Sequence, residues 1–353
     1  MRKLKIAVLS SIQWRTPPRK MGAWELVASN ITEELVKRGH DVTLYASGNS
    51  VTSAKLRSIA PYPIQEPEGT PLEEKLYTYL HSASVFEEAD QYDIIHNNFD
   101  GYPLVFSKLV KTPVISTIHG FSSPQIKDLY VKYNNTSYVS ISHADRRNCP
   151  EMNWVANIYH GIDVDKVPFG AESQGYYAYL GRVHPTKGVH LAIQAALKAG
   201  VTLKIAAYLN EDDKGEMAYW NEQCLPYIDG QQIIYLGEAD EKAKYELLSG
   251  AVATLCPIQW EEPFGLVFIE SMATGTPVVA FGRGSVPEVI RDGVGGLVVE
   301  PDNMDAYVDA INRVKSLDRQ EVRRYAEENF SISHMIDQYE EAYYKILGID
   351  LNL

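Results

Sequence analysis

The strongest constraint on the fold of this chain is a strand–helix alternation that runs through its first half, stops at a linker and begins again. Lys5–Leu9 (KIAVL) is a short apolar strand, and 22–38 carries Leu26, Val27, Ile31 and Leu35 near helical spacing. Gly39 ends that helix, and 41–46 (DVTLYA) alternates as a strand does. Further strands are predicted at 92–96, Val114–Ile118, 138–141 and 155–159. The stretch 164–175 (VDKVPFGAESQG) has the composition of a linker. Strands are then predicted at 176–180, 202–206, 232–236, 253–256, 277–280 and Gly296–Val299. An amphipathic helix closes the pattern at 331–347, built on Met335, Ile336, Tyr339, Tyr343 and Ile346. Strands alternating with helices imply right-handed parallel βαβ units, hence doubly wound sheets. A chain of 353 residues exceeds what one core usually organises. The expected fold class is therefore α/β with two Rossmann-like domains, residues 1–165 and 166–330, followed by a helical segment at 331–353.

Composition removes several classes of function. An apolar share of 45% with 22% charged residues argues against disorder. The longest apolar runs, such as 252–256 and 266–269, are too short to span a bilayer. The first ten residues start basic, but their apolar stretch has a strand's length and no small-residue cleavage site follows, so a cytoplasmic protein is expected. Cys149, Cys224 and Cys256 share no CxxC spacing, which indicates neither a disulfide framework nor a zinc site. A net charge of −13 argues against a general nucleic-acid binder. That charge is uneven: residues 1–165 hold 17 Lys/Arg against 18 Asp/Glu, and the rest hold 16 against 28. An anionic ligand therefore needs local cations set against an acidic background. The more neutral first half leaves a peripheral membrane contact open.

Open parallel sheets bind ligands at the carboxyl ends of their strands, and the candidate residues follow strands. The strongest signal is WEEPFGLVFIE, residues 260–270. Pro263 suits the first turn of a helix, which would present the backbone N–H groups of Phe264, Gly265 and Leu266 as donors. Glu270 is embedded in apolar LVFIESMA, where an ionised carboxylate costs several kcal/mol unless it is paired or hydrogen-bonded. Either a protein donor or a ligand diol satisfies it. Glu262 reads by itself as a solvated acid favouring the helix dipole; with Glu270 it forms a pair. The second signal is GRVHPTKG, residues 181–188, where Arg182 and Lys187 flank a proline turn at a helix start. Arg binds a diphosphate bidentately and Lys adds a point charge, although a solvated basic turn reads the same way. Gly22, opening the first helix, permits close approach of an anion or sugar, or serves a tight turn alone. His119 follows the strand Val114–Ile118 and suits hydrogen bonding to a sugar hydroxyl, or a structural role. His96, Asn97, Asn98 and Asp100 form a polar loop expected to line an acceptor pocket, and His160-Gly161 reads as loop structure. No set of His, Cys, Asp and Glu has metal-ligand spacing, and GxGxxG, the Walker loop and GxSxG are all missing.

With these motifs in view the chain resembles glycosyltransferase family 4, the retaining enzymes of GT-B fold. The likeness extends over essentially the whole chain and includes Gly39-His40-Asp41-Val42, His119-Gly120, Tyr159-His160-Gly161-Ile162-Asp163 and Gly275-Thr276-Pro277-Val278-Val279-Ala280. It is similar in look to a bacterial branch that includes a pterin glucosyltransferase. The resemblance implies two domains facing across a cleft, the first on the acceptor side and the second on the donor side, with the C-terminal helix crossing back to the first. It implies a nucleotide-sugar donor, UDP-glucose by default, and a small-molecule, glycan or lipid-linked acceptor, with no cofactor and no metal. Arg182 and Lys187 would hold the diphosphate and stabilise its departure. Glu270 would bind the ribose, and Glu262 with the backbone of Phe264, Gly265 and Leu266 would hold the donor sugar. His119 would meet that sugar near its C6 hydroxyl, and Gly22 would border the phosphates. Domain closure would exclude water. Two positions depart from the family pattern: Ala23-Trp24 where relatives have Gly-Thr, and Asn97-Asn98 after His96 where many have x-His. Both bear on the acceptor. A non-hydrolysing nucleotide-sugar epimerase and a non-catalytic nucleotide-sugar binding module are the alternative readings.

Overall fold

The computed structural model describes residues 2–19, 22–121 and 125–350. By its internal contacts the chain divides into two units, 1–161 with 332–353, and 162–331. The first holds a seven-stranded parallel sheet of β1 (Lys5–Leu9), β2 (Asp41–Tyr45), β3 (Lys55–Arg57), β4 (Ile94–Asn97), β5 (Val114–Ile118), β6 (Ser137–Ser140) and β7 (Trp154–Asn157), in the order β3-β2-β1-β4-β5-β6-β7. The second holds β8 (Tyr176–Arg182), β9 (Leu203–Tyr208), β10 (Ile233–Gly237), β11 (Ala251–Cys256), β12 (Val278–Phe281) and β13 (Gly296–Val299), in the order β10-β9-β8-β11-β12-β13. In each sheet the winding reverses beside the first strand, between β1 and β4 and between β8 and β11. Ligands of doubly wound sheets bind at such reversal points, beyond the strands' carboxyl ends.

The central strands are buried on both faces, which is why they read as apolar runs rather than alternating ones. The edge strand β3 escapes the sequence pattern because it is three residues of mixed exposure with one apolar side chain. The segment 164–175 is not a free linker. Arg323, on the helix Arg319–Phe330, donates to the carbonyls of Val164 (2.6 Å) and Val167 (2.9 Å), and Arg319 donates to that of Gly170 (2.5 Å). Irregular backbone there is satisfied by guanidinium groups instead of by a ladder.

The final helix, Ile332–Ile346, supplies Met335, Ile336, Tyr339 and Tyr343 to the core of the first unit, against Val27, Ile31 and Leu35 of the helix Ala23–Lys37. This packing corrects the expectation for residues 96–100. His96 is fully buried, with Nδ1 at 2.7 Å from the Tyr343 hydroxyl and Nε2 at 2.8 Å from Thr117 Oγ1, and Tyr339 bonds the same threonine at 2.8 Å. Burial pushes the His96 imidazole down to about 3, so it is a neutral strut of the core and not a pocket wall. Asn97 likewise spends its amide on Asp100 O and Ser116 Oγ, both at 2.8 Å.

A second polar lock fixes the same helix. Glu340 accepts from Arg38 and pairs with His40 Nε2 at 2.7 Å, with the carboxylate 8% exposed. Burial alone would raise its pKa, but the bonds from His40 and Arg38 win and hold it below the usual carboxylate value. Its stabilisation is therefore present above the unfolded-state pKa and lost as pH falls through the folded one. Glu340→Ala is expected to cost about 3 kcal/mol at neutral pH in denaturant unfolding, because it leaves the buried Nε2 of His40 without its partner and takes from Arg38 one of its three carboxylates. A loss under about 1 kcal/mol would show that the helix is held by its apolar face alone. Among the described residues no helix is long and apolar enough to cross a membrane.

Candidate active site

In the second unit the predicted cations stand at the reversal point. Arg182 is the last residue of β8. The chain then turns through Pro185–Lys187, with His184 Nδ1 accepting from Thr186 N at 3.2 Å. Gly188 follows with φ +73°, and a Cβ there would stand 2.0 Å from the carbonyl oxygen of Pro257, just after β11. Gln259 N donates to Thr186 O at 2.7 Å, so the loops after β8 and β11 are fastened together. That junction brings Lys187 to Glu262. Its Nζ lies 2.6 Å from Glu262 Oε2, the Trp260 indole N–H donates to the same oxygen at 2.8 Å, and Lys187 sits 4.5 Å from the Trp260 ring centroid. Glu262 is buried rather than a solvated helix-start acid.

The helix start differs from the sequence expectation. It begins at Leu266, with Gly265 as its N-cap in the left-handed region at φ +84° and Pro263 outside the helix. A Cβ on Gly265 would meet the Phe268 ring at 2.3 Å, so glycine is required by space as well as by backbone. The helix's first amides are those of Leu266 and Val267. Phe264 precedes them, buried, and its carbonyl accepts from Ser285 Oγ at 2.9 Å. Glu270, in the next turn, is buried and paired with Lys244 Nζ at 2.6 Å. Arg182 is in turn held by Glu216, with Nη2 at 2.5 Å from Oε1. Each cation thus arrives already matched to a buried carboxylate, which offsets the acidity of this half of the chain.

Sequence reasoning missed Glu216 and Lys244. A buried Glu270 calls for a cation, but nothing in the spacing names one 26 residues earlier on another helix.

In the first unit His119 follows β5 and lies half-buried against two rings. Trp24 stacks on it at 5.6 Å between centroids and 21° between planes, and His160 at 5.2 Å and 28°, with His160 Nε2 at 3.4 Å from His119 Nδ1. Nε2 of His119 is 3.2 Å from Asn98 Oδ1, which assigns the proton to that nitrogen. The Asn98 amide nitrogen is buried with no partner among the described residues. Burial pushes His119 down to about 3, so its imidazole is neutral near pH 7. His160 was expected to be loop structure, yet it is part of this stack. Gly22 caps the helix Ala23–Lys37, accepting from Leu26 N at 2.9 Å. Beside it Glu25 is buried and accepts from Trp14 N at 3.2 Å, its pKa raised because desolvation outweighs the hydrogen bonds it receives. The structure thus brings Arg182, Lys187, Glu262, Phe264, Gly265, Leu266 and Glu270 onto one unit, and Gly22 and His119 onto the other. Among the described residues no group of three or more His, Cys, Asp or Glu converges as a metal site.

Comparison with known proteins gives a consistent assignment. The family model for glycosyl transferases group 1 matches residues 163–330, and that for Glycosyltransferase Family 4 matches residues 25–166. An uncharacterized glycosyltransferase of Methanocaldococcus jannaschii is 25% identical over 357 residues, covering 89% of each chain. Among solved structures, the sucrose-phosphate synthase of Thermosynechococcus elongatus superposes with a TM-score of 0.78 at 18% identity, covering 98% of this chain and 100% of that one. The HepE protein of Anabaena, solved with UDP-glucose, gives 0.73 at 18% identity over 97% and 100% of the two chains. The fold is that of these two-domain, Rossmann-like structures, GT-B.

Proposed function

Because the chain belongs to the family 4 glycosyltransferases of group 1, we propose that it moves a hexose, glucose by default, from a nucleoside-diphosphate sugar to an acceptor hydroxyl, with retention at the anomeric carbon and no metal. The observation that carries this reading is the pair of cations that follow one another after β8 at the sheet's reversal point, Arg182 held by Glu216 and Lys187 held by Glu262. Arg182 engages Glu216 through one terminal nitrogen, and Lys187 offers three N–H donors in all, so a diphosphate adds to the existing ion pairs without breaking them. The bond that breaks joins the anomeric carbon to a phosphate oxygen. Negative charge builds on the departing diphosphate, where two fixed cations lower the barrier. Glu262 and the amides at the start of the helix Leu266–Ala273 hold the donor sugar's hydroxyls, with Phe264 and Gly265 shaping the approach. Glu270 takes the ribose. His119, neutral, serves a sugar hydroxyl, and Gly22 leaves backbone room for the phosphates. The HepE complex with UDP-glucose supports uridine and glucose as the first choice.

Calorimetric titration with UDP, GDP and ADP, in EDTA, tests the donor site. One nucleotide is expected to bind at micromolar concentration without metal, and it names the base for a sugar screen. Failure of all three to bind the wild type would remove the assignment of Arg182, Lys187 and Glu270 to a nucleotide.

A further inference from the structure

Glu270 is one turn into a helix whose neighbouring Phe268, Ile269, Met272 and Ala273 are all fully buried. A carboxylate in that setting costs several kcal/mol unless a partner arrives. The partner is Lys244, from the first turn of the helix Glu241–Gly250, whose own side chain is 18% exposed. An apolar pair of similar volume would stabilise the fold at least as well, so a buried Lys–Glu pair beside a proposed ligand site points to the ligand.

The geometry is specific about what remains available. Lys244 Nζ takes Oε1 of Glu270 at 2.6 Å and lies 4.6 Å from the Tyr245 ring centroid. Oε2 of Glu270 has no hydrogen-bond partner among the described residues. An ionised carboxylate accepts at both oxygens. One oxygen is thus anchored by the protein and the other is left for a donor that comes with the ligand.

We propose that Lys244 is a positioning residue for the nucleotide: its ion pair fixes the Glu270 carboxylate so that the second oxygen accepts from the ribose hydroxyls of the donor's nucleoside diphosphate. This rests on the assignment of Glu270 to the ribose made above. Lys244 itself does not touch the ligand in this arrangement, and its effect is confined to the ribose end.

The test compares wild type, Lys244→Met and Lys244→Arg, titrated with whichever of UDP, GDP and ADP binds and with its 2′,3′-dideoxy counterpart. Lys244→Met is expected to weaken the parent nucleotide about tenfold or more, since a charge-assisted bond to the ribose is misplaced, and to change the dideoxy compound by less than about twofold. Lys244→Arg should restore most of the loss. Equal weakening of both ligands would mean that Lys244 merely supports the unit's packing, and no weakening of either would mean that Glu270 needs no anchor; each overturns the proposal. The underlying assignment fails separately, in the wild type, if the dideoxy compound binds as tightly as its parent. Should Lys244→Met fail to fold, the double variant Lys244→Met with Glu270→Gln removes both buried charges. That double variant tests only the ribose assignment, and Lys244→Gln, which keeps a polar group of similar length without the charge, then carries the comparison: it is expected to weaken the parent nucleotide and leave the dideoxy compound unchanged, and equal effects on the two overturn the proposal.

Discussion

Replacing Arg182 with alanine is expected to slow sugar transfer roughly 100- to 1000-fold, read as nucleoside diphosphate released while the sugar passes to an acceptor or to water. The size follows from geometry. Arg182 ends the strand beside the reversal point, and 43% of its side chain is exposed although one nitrogen is held by Glu216. A guanidinium fixed in this way is oriented before any ligand arrives, so its charge meets the departing diphosphate without reorganisation. The structure adds a consequence that the sequence alone does not suggest. Glu216 is 3% exposed, and its Oε2 has no partner among the described residues. Removing Arg182 leaves a buried carboxylate wholly unpaired, so Arg182→Ala is also expected to cost about 1–3 kcal/mol of stability. The two effects separate in a double variant. Arg182→Ala with Glu216→Gln should recover the stability and none of the rate. Recovery of the rate as well would show that Arg182 acts by supporting the fold, and a near-normal rate in the single variant would remove it from the chemistry altogether.

Much of the fold was legible because parallel strands buried on both faces leave continuous apolar runs between punctuating glycines. Val114–Ile118 and Gly296–Val299 stand where the sequence places them, and 92–96 and 138–141 differ from β4 and β6 by one or two residues. Glycine and proline misled at one point. Pro263 has the chemistry of a first helical turn, but the left-handed Gly265 restarts the chain and delays the helix to Leu266. The candidate site was legible in its cations and its two glutamates, since charged residues after strands stand out against apolar runs. Their partners were not. Glu216, Lys244 and His160 meet Arg182, Glu270 and His119 by the packing of one element on another, and hydrophobic period reports a helix's face but not its neighbour. The reverse error occurred at His96. A histidine after an apolar strand reads as a pocket residue, yet Tyr339 and Tyr343, more than 240 positions away in the chain, close over it.

The same junction that sets Lys187 against Glu262 leaves no room for a side chain at Gly188. Gly188→Ala is expected to destabilise the protein by at least about 3 kcal/mol, while Gly200→Ala costs only about 1 kcal/mol. The two glycines have almost the same backbone, φ +73° and +67°, so the left-handed strain of an added side chain is common to both. They differ in surroundings. A Cβ at Gly200 meets nothing within 4 Å, whereas one at Gly188 falls 2.0 Å from the Pro257 carbonyl oxygen, a backbone atom that no side-chain rotation can move aside. The overlap must be relieved by parting the loops after β8 and β11, which are also joined by the bond from Gln259 N to Thr186 O. Parting them carries Lys187 away from Glu262, so nucleotide affinity should fall in Gly188→Ala even at temperatures where the variant is fully folded, and stay unchanged in Gly200→Ala. Equal costs at the two positions in denaturant unfolding would mean that the loops yield freely, and that the pairing of Lys187 with Glu262 does not depend on the contact beneath it.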